Sequence, residues 1–215
     1  MALTLHMHPL SSYCHKALIA LYELDAPFDI QFLDLGQEAV RNAFYALWPV
    51  GKMPVLEDKA RSLVLPEASI IIEYLDRTYP RPAPLIPEDP DLALEVRLQD
   101  RFFDNYVHAP MQAIVADLLR PVKSRDPFGV DQARARLRSS YDLIEARMAG
   151  RTWFAGGDFS LADCAAAPAL FYAEQRESFG PDRPHTAAYL QRLKQRPSYA
   201  RALKEAEPYF HMIPR

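Results

Sequence analysis

The sequence predicts an α/β domain followed by an all-α domain. In the first part of the chain, apolar and polar residues alternate in short runs with the period of a β-strand. A segment with five prolines, "PRPAPLIPEDP", occupies residues 80–90. Beyond it, apolar residues recur only with the period of an α-helix. We therefore place the first domain at residues 1–79, a proline-rich linker at 80–89 and the second domain at 90–215.

The first domain shows strand and helix patterns in the order βαβαββα. Leu3, Leu5 and Met7 alternate with polar residues, and the next segment has its apolar residues on one helical face, after a serine suited to capping. A strand–helix–strand unit implies a parallel crossover. This order is that of a thioredoxin-like domain. The segments are "LTLHMH", "SYCHKALIALYEL", "FDIQFLDL", "GQEAVRNAFYALW", "MPVLED", "SLVL" and "EASIIIEYLDRTY".

The second domain shows helical patterns only. Its first segment is long, and Pro110 is expected to kink or split it because proline lacks an amide donor. An alanine-rich segment begins with Ser160 and Asp163 in the spacing of a capping box, and we expect a buried helix there. The segments are "DLALEVRLQDRFFDNYVHAPMQAIVADLL", "DQARARLRSSYDLIEARMA", "FSLADCAAAPALFYAEQ", "HTAAYLQRLKQ" and "SYARALKEAE".

Composition and charge exclude several classes of protein. The net charge of −3 gives no electrostatic reason to expect nucleic acid or an anionic membrane as a partner. No apolar run approaches the length of a membrane span, and the N-terminus lacks a signal-peptide pattern. The two cysteines, Cys14 and Cys164, lie in different halves of the chain, so we expect free thiols and a cytoplasmic protein. His6 and His8 have no companion ligands at metal spacing, so no metal site is expected.

Four segments, in this order and spacing, resemble those of the cytosolic glutathione transferase family, in particular its bacterial, serine-type members. The resemblance covers essentially the whole chain and implies a thioredoxin-like domain followed by a helical bundle. It implies glutathione as the co-substrate, a small apolar electrophile as its acceptor, a role in detoxification and a two-fold homodimer. The segments are "HPLSSYCHKALIALYEL", "GKMPVL", "EASIIIEYLD" and "FSLADCAAAPAL".

The stretch "SSYC" at residues 11–14 carries the candidate catalytic residue. A helix N-terminus stabilises an anion such as a thiolate, and redox relatives of this fold carry a cysteine at the position of Ser11. From the residues alone, Ser11 or Ser12 either caps the helix or donates a hydrogen bond to a ligand. The resemblance implies that the Ser11 hydroxyl donates to the glutathione sulfur and favours its thiolate. Tyr13 and Cys14 remain alternatives for this role.

Two further segments are implied to bind glutathione. Pro54 matches the cis-proline of thioredoxin-like proteins, which would let the backbone of Met53 pair with the cysteinyl residue of glutathione. Lys52 is placed to meet the glycine carboxylate. Glu67 is expected to pair with the γ-glutamyl ammonium. The backbone amides of Ala68 and Ser69 are expected to bind the γ-glutamyl carboxylate. The family usually has serine where this chain has Ala68, so we expect weaker binding.

The electrophile is expected between the two domains. We expect its pocket to use the loop after the first strand and the first long helix of the second domain, whose aromatic and methionine residues suit an apolar compound. Glutathione-dependent isomerisation, dehalogenation or ether cleavage, and a binding protein without turnover, remain alternatives. The expected pocket residues are Leu10, Tyr13, Phe103, Tyr106 and Met111.

Overall fold

The first domain of the structure, a computed structural model that describes residues 3–214, contains a four-stranded sheet and three helices. The order along the chain is βαβαββα, as predicted. Its elements are β1 (Leu3–Met7), α1 (Ser12–Glu23), β2 (Phe28–Phe32), α2 (Glu38–Leu47), β3 (Val55–Asp58), β4 (Leu63–Pro66) and α3 (Ala68–Thr78).

The sheet has the strand order β2-β1-β3-β4. Strand β1 runs parallel to β2 and antiparallel to β3, which in turn pairs antiparallel with β4. The alternation read from the sequence places Leu3, Leu5 and Met7 in the core. This core continues through α1 and α3 into the second domain. Helix α1 therefore packs against α3 of the first domain and against helices of the second domain.

Beyond residue 90, the described part of the chain contains helices and no strands, which confirms the predicted fold class. The long first segment is divided into three pieces. The helical elements are α4 (Pro90–Phe102), a π-helical segment (Phe103–His108), α5 (Ala109–Leu118), a 3₁₀ turn (Val122–Ser124), α6 (Pro127–Met148), α7 (Leu161–Glu174), α8 (Pro184–Gln195), α9 (Pro197–Ala206) and a second 3₁₀ segment (Glu207–Met212).

The π-helical segment directly precedes the expected break at Pro110. Proline cannot donate to the carbonyl four residues before it, so the carbonyl of Tyr106 needs another donor. The Ser140 hydroxyl of α6 supplies it, at 2.7 Å. A π-helical turn inserts an extra residue and changes which side chains share a face. Side chains after the π-helical segment therefore point in other directions than they would on a regular helix.

The connection between α3 and α4 contains neither helix nor strand. The Asp76 carboxylate accepts hydrogen bonds from the backbone amides of Leu85 and Ile86, at 2.8 and 3.1 Å. The carbonyl of Leu85, a fully buried residue, accepts from the amide of Leu161 at the start of α7. The connection is therefore fixed against both domains at its centre.

Candidate active site

A cleft of about 500 Å³ lies between the two domains. On the first domain it is formed by the N-terminal ends of α1 and α3 and by the loop before β3. On the second domain it is formed by the end of α4, the π-helical segment and α5. Its lining residues are Ser11, Tyr13, Gly51, Lys52, Met53, Pro54, Glu67, Ala68, Arg101, Asp104, Asn105 and Gln112.

Ser11 is the N-cap of α1 and is half-buried at the edge of the cleft. Its hydroxyl oxygen accepts from the amide of Cys14 at 3.4 Å, longer than a typical hydrogen bond. The Ser11 side chain also forms a hydrogen bond with the Cys14 thiol, and a thiol that keeps its proton donates to the serine oxygen. Capping and ligand binding are therefore compatible, because the first uses an oxygen lone pair and the second uses the proton.

Cys14 and Cys164 are fully buried and free. Burial raises the pKa of the Cys14 thiol to about 12, although its hydrogen bond to Ser11 acts in the opposite direction. Burial also raises the pKa of Cys164 well above its ordinary value. Neither thiol ionises near neutral pH, so neither has the properties of a nucleophile.

The loop before β3 supplies the next wall of the cleft. The Met53–Pro54 peptide bond is cis, as expected. Lys52 is exposed beside it, and Met53 is half-buried. The structure thus brings three of the predicted residues, Lys52, Met53 and Pro54, to the same cleft as Ser11.

The start of α3 forms the opposite side of the cleft. Glu67, its N-cap, has a φ of 70° and makes no side-chain capping bond. This left-handed conformation costs a non-glycine residue about 1–3 kcal/mol, and such strain is typical of ligand-binding sites. The first intrahelical bond runs from the amide of Ile71 to the carbonyl of Glu67. The amides of Ala68 and Ser69 precede this bond and are available to an anion.

The Ser69 side chain does not line the cleft. Its hydroxyl donates to Asp100 at 2.8 Å and accepts from the ammonium of Lys16 at 2.9 Å. It also contacts the guanidinium of Arg101. Ser69 therefore cannot replace the serine hydroxyl that position 68 lacks, and only its backbone amide remains for a ligand.

Tyr13 is held by a buried histidine of the π-helical segment. Its ring stacks on His108 with 3.9 Å between centroids and 9° between planes. Burial lowers the pKa of His108 to about 3, and the ammonium of Lys16 adds to this effect. Burial also raises the pKa of Tyr13 to about 12, with a further contribution from Asp104. At neutral pH the imidazole is thus uncharged and the phenol keeps its proton.

The structure does not bring the other expected electrophile residues to the cleft. Phe103 and Met111 are buried in the core, where Phe103 packs against Phe154. Tyr106 is exposed but lines a separate groove between the π-helical segment and α6. Leu10 is half-buried and is not among the residues that line the cleft. These residues were expected in the pocket because of their apolar side chains, but the π-helical segment changes which side chains face the first domain.

Polar residues of the second domain form that wall instead, and the sequence analysis missed them. They recur at intervals of four, which places them on one face of the split helix. A charged residue within the apolar α1 pattern, Lys16, is the matching signal on the first domain. The polar series is Asp100, Asp104, His108 and Gln112, with Arg101 and Asn105 beside it; Asp100 and His108 are buried behind the wall, and the other four line the cleft.

Within residues 3–214, no group of three or more His, Cys, Asp or Glu side chains is arranged to hold a metal ion. No helix in the same range is long and apolar enough to cross a membrane.

A thioredoxin-like domain followed by a helical domain, with a cleft between them, is the architecture of glutathione S-transferases, and comparison with known proteins agrees. The models of the N-terminal and C-terminal domains of glutathione S-transferase match residues 5–83 and 107–197. The chain belongs to the cytosolic glutathione S-transferase family.

Named relatives of this chain differ in what their names describe. FtsZ-localized protein A of Caulobacter vibrioides is 33% identical over 220 residues, covering 95% of this chain and 92% of that protein. Glutathione S-transferase GstB of Escherichia coli is 28% identical over 192 residues, covering 87% and 91%. The crystal structure of a glutathione S-transferase from Methylobacterium radiotolerans, in complex with glutathione sulfonate, has a TM-score of 0.81 and 26% identity, with 93% of each chain covered.

Proposed function

We propose that this protein is a glutathione transferase in which Ser11 activates the thiol of glutathione. The observation that supports this most directly is the position of the Ser11 hydroxyl at the N-terminus of α1, inside the cleft. A hydrogen bond to sulfur, together with the positive end of the helix dipole, stabilises the thiolate. The thiolate then attacks an electrophile held against the second domain.

The remaining predicted residues are assigned to the rest of glutathione. In the proposal, the backbone of Met53 next to Pro54 pairs with the cysteinyl residue. Lys52 pairs with the glycine carboxylate. Glu67 binds the γ-glutamyl ammonium, and the amides at the start of α3 bind its carboxylate. Their placement around one cleft supports this assignment, because a tripeptide needs contacts at both ends and at its centre.

The experiment that tests the proposal measures binding and turnover separately. Retention on immobilised glutathione reports binding. Conjugation of 1-chloro-2,4-dinitrobenzene or another electrophile reports turnover. Binding with turnover supports the transferase, and failure of both measurements overturns the glutathione proposal.

A second candidate is a binding protein of this family without turnover. It is favoured by Ala68, because the hydroxyl usual at this position is missing and that of Ser69 is engaged with Asp100 and Lys16. The relative named FtsZ-localized protein A also carries a name that describes no enzymatic activity. Binding of glutathione without turnover of any electrophile would favour this candidate.

We further propose a cytoplasmic homodimer. Exposed apolar side chains support the dimer: Leu94 and Leu98 share one face of α4, and Tyr106 and Leu143 line a groove between the π-helical segment and α6. The buried free thiols fit a reducing compartment. Sedimentation velocity should show a dimer for the native chain and a monomer for Leu98→Glu. A native monomer at micromolar concentration would overturn the proposed dimer.

A further inference from the structure

A second cavity, of about 450 Å³, lies in the helical domain between the C-terminal end of α7, one face of α8 and the second 3₁₀ segment. Its volume is within the range of small-molecule sites. The residues that α8 contributes recur at intervals of three and four, as expected for one helix face: Ala187, Leu190, Gln191 and Lys194. The cavity shares no lining residue with the cleft between the domains, so the proposed glutathione function gives it no role.

Aromatic rings form the apolar part of this cavity. The rings of Phe171 in α7 and Phe210 in the 3₁₀ segment have centroids 6.0 Å apart and planes 34° apart, and both residues are half-buried. Phe179 and Leu190, which also line the cavity, are buried. Partly exposed rings at the wall of a cavity give a planar aromatic ligand a surface on which to stack.

Two cations of the cavity lack an acidic partner within residues 3–214. Arg176 and Lys194 are half-buried, and neither side chain forms an ion pair or a hydrogen bond with another described residue. The carboxylate of Glu177 is already paired with Arg134 and Arg138, at 2.8 Å each. Burial lowers the pKa of Arg176, and the charge of Arg134 acts in the same direction. An anion bound between Arg176 and Lys194 would balance these charges.

The cavity also contains one carboxylate, that of Glu174 at the end of α7. In the described part of the chain, this side chain has no hydrogen-bond or ion-pair partner. It would repel a simple apolar anion, but it can accept hydrogen bonds from a ligand that carries hydroxyl groups. Carboxylates bind the ribose hydroxyls in this way in nucleotide sites of other folds. The cavity thus combines ring surfaces, an acceptor for hydroxyl groups and an excess of positive charge.

We propose that this cavity binds a mononucleotide. The base stacks on Phe171 and Phe210, the ribose hydroxyls donate to Glu174, and the phosphate oxygens accept hydrogen bonds from Arg176 and Lys194. A nucleoside monophosphate carries an aromatic ring, hydroxyl donors and an anion within one small molecule, which matches the three kinds of group in the cavity. The proposal is independent of the glutathione function, because it uses no residue of the cleft.

Isothermal titration calorimetry of the full-length native chain with adenosine 5′-monophosphate tests the proposal. Three compounds each lack one part of this probe. Adenosine lacks the phosphate, ribose 5-phosphate lacks the base, and phenyl phosphate lacks the ribose. We expect a dissociation constant below about 1 mM for adenosine 5′-monophosphate, and an affinity at least about tenfold weaker for each of the other three.

Variants locate the bound nucleotide. Arg176→Gln and Lys194→Gln each remove one charge, and each should weaken the binding of adenosine 5′-monophosphate about tenfold. Lys204→Gln, at an exposed position of α9 outside the cavity, is the matched control for loss of a lysine. Lys52→Gln is the control for binding in the cleft between the domains. Neither control should change the affinity for the nucleotide.

Three results would overturn the proposal. The first is an absence of binding below about 1 mM. The second is an equal affinity for adenosine 5′-monophosphate and phenyl phosphate or ribose 5-phosphate, because the cavity would then bind anions without recognising a nucleotide. The third is a loss of affinity in Lys52→Gln with none in Lys194→Gln, which would place the nucleotide in the cleft.

Discussion

The ammonium of Lys16, fully buried in α1, donates to both carboxylate oxygens of Asp104, at 3.0 and 2.9 Å. It also forms an ion pair with Asp100 at 2.5 Å. The partner carboxylates belong to the second domain, so this cluster joins the two domains directly beneath the cleft. Arg101, on the cleft side, contacts the same two carboxylates. The two buried negative charges are therefore balanced by two positive charges.

We expect Lys16→Met to destabilise the fold by about 3–5 kcal/mol, because it leaves buried carboxylates without their main partner. The measurement is the free energy of unfolding in urea. The double variant Lys16→Met with Asp104→Leu should recover part of the loss, since it removes one of the uncompensated charges. A loss below about 1 kcal/mol for Lys16→Met would show that this cluster behaves like an exposed ion pair.

Glu23 should make the stability depend on acid pH. Burial opposes ionisation of Glu23, but hydrogen bonds from Arg196, Ser198 and Arg81 outweigh it, so its pKa is lowered from 4.5. A carboxyl group with a lowered folded-state pKa stabilises the fold above its unfolded-state pKa, and this stabilisation disappears as the pH falls through the folded-state value. The stability of the native chain should therefore decrease as the pH falls below about 4.5, and that of Glu23→Gln should decrease less.

Comparing these two pH profiles separates the contribution of Glu23 to the stability from that of other carboxyl groups with lowered pKa values, such as Glu145 and Glu177. Parallel profiles for the native chain and Glu23→Gln, each measured by urea unfolding, would contradict the assigned role of Glu23.

Both cysteines should resist alkylation in the folded protein. Cys14 and Cys164 are fully buried, and burial raises the pKa of each thiol. Iodoacetamide at neutral pH should therefore label neither residue until urea unfolds the chain, as mass spectrometry would show. Labelling of Cys14 in the folded state, with loss of activity, would instead indicate a cysteine-dependent transferase.

Glu67→Ala should raise the KM for glutathione much more than it changes kcat. The assigned contact of Glu67 with the γ-glutamyl ammonium exists equally in the ground and transition states, so its loss weakens binding alone. Alanine at a φ of 70° carries a backbone strain similar to that of glutamate, so the comparison reports the side chain. Equal decreases in kcat and kcat/KM in steady-state kinetics would rule out this assignment.

The fold was predictable because its signals are local. Alternation in β1, the serine before α1 and the Ser160–Asp163 capping box each specify their element from neighbouring residues, and the structure contains all three. The proposed glutathione half of the site follows the same rule, since each predicted residue lies at or near the start of a helix or strand. Those starts are readable from the sequence.

The second-domain wall of the cleft, the proposed electrophile half, was not predictable in the same way. Its residues depend on the π-helical segment at residues 103–108, which exchanges the faces of a helix that otherwise has an ordinary period. The prediction chose Phe103 and Met111 for their apolar side chains, whereas the structure buries both in the core. The polar series from Asp100 to Gln112 was visible in the sequence. Its significance depends on Lys16, which is distant along the chain.

The pKa of the glutathione thiol, measured for glutathione bound to the native chain and to Ser11→Ala, tests the central claim most directly. The thiolate absorbance is titrated with Ser11→Thr as the control, because threonine keeps both the hydroxyl and the N-cap. We expect Ser11→Ala to raise the thiol pKa toward that of a free thiol and to lower the rate by up to ~10²–10³, with glutathione affinity within a few-fold. Ser11→Thr should resemble the native chain. An unchanged thiol pKa in Ser11→Ala, with a raised pKa in Tyr13→Phe, would contradict the assignment and identify Tyr13 as the activating hydroxyl.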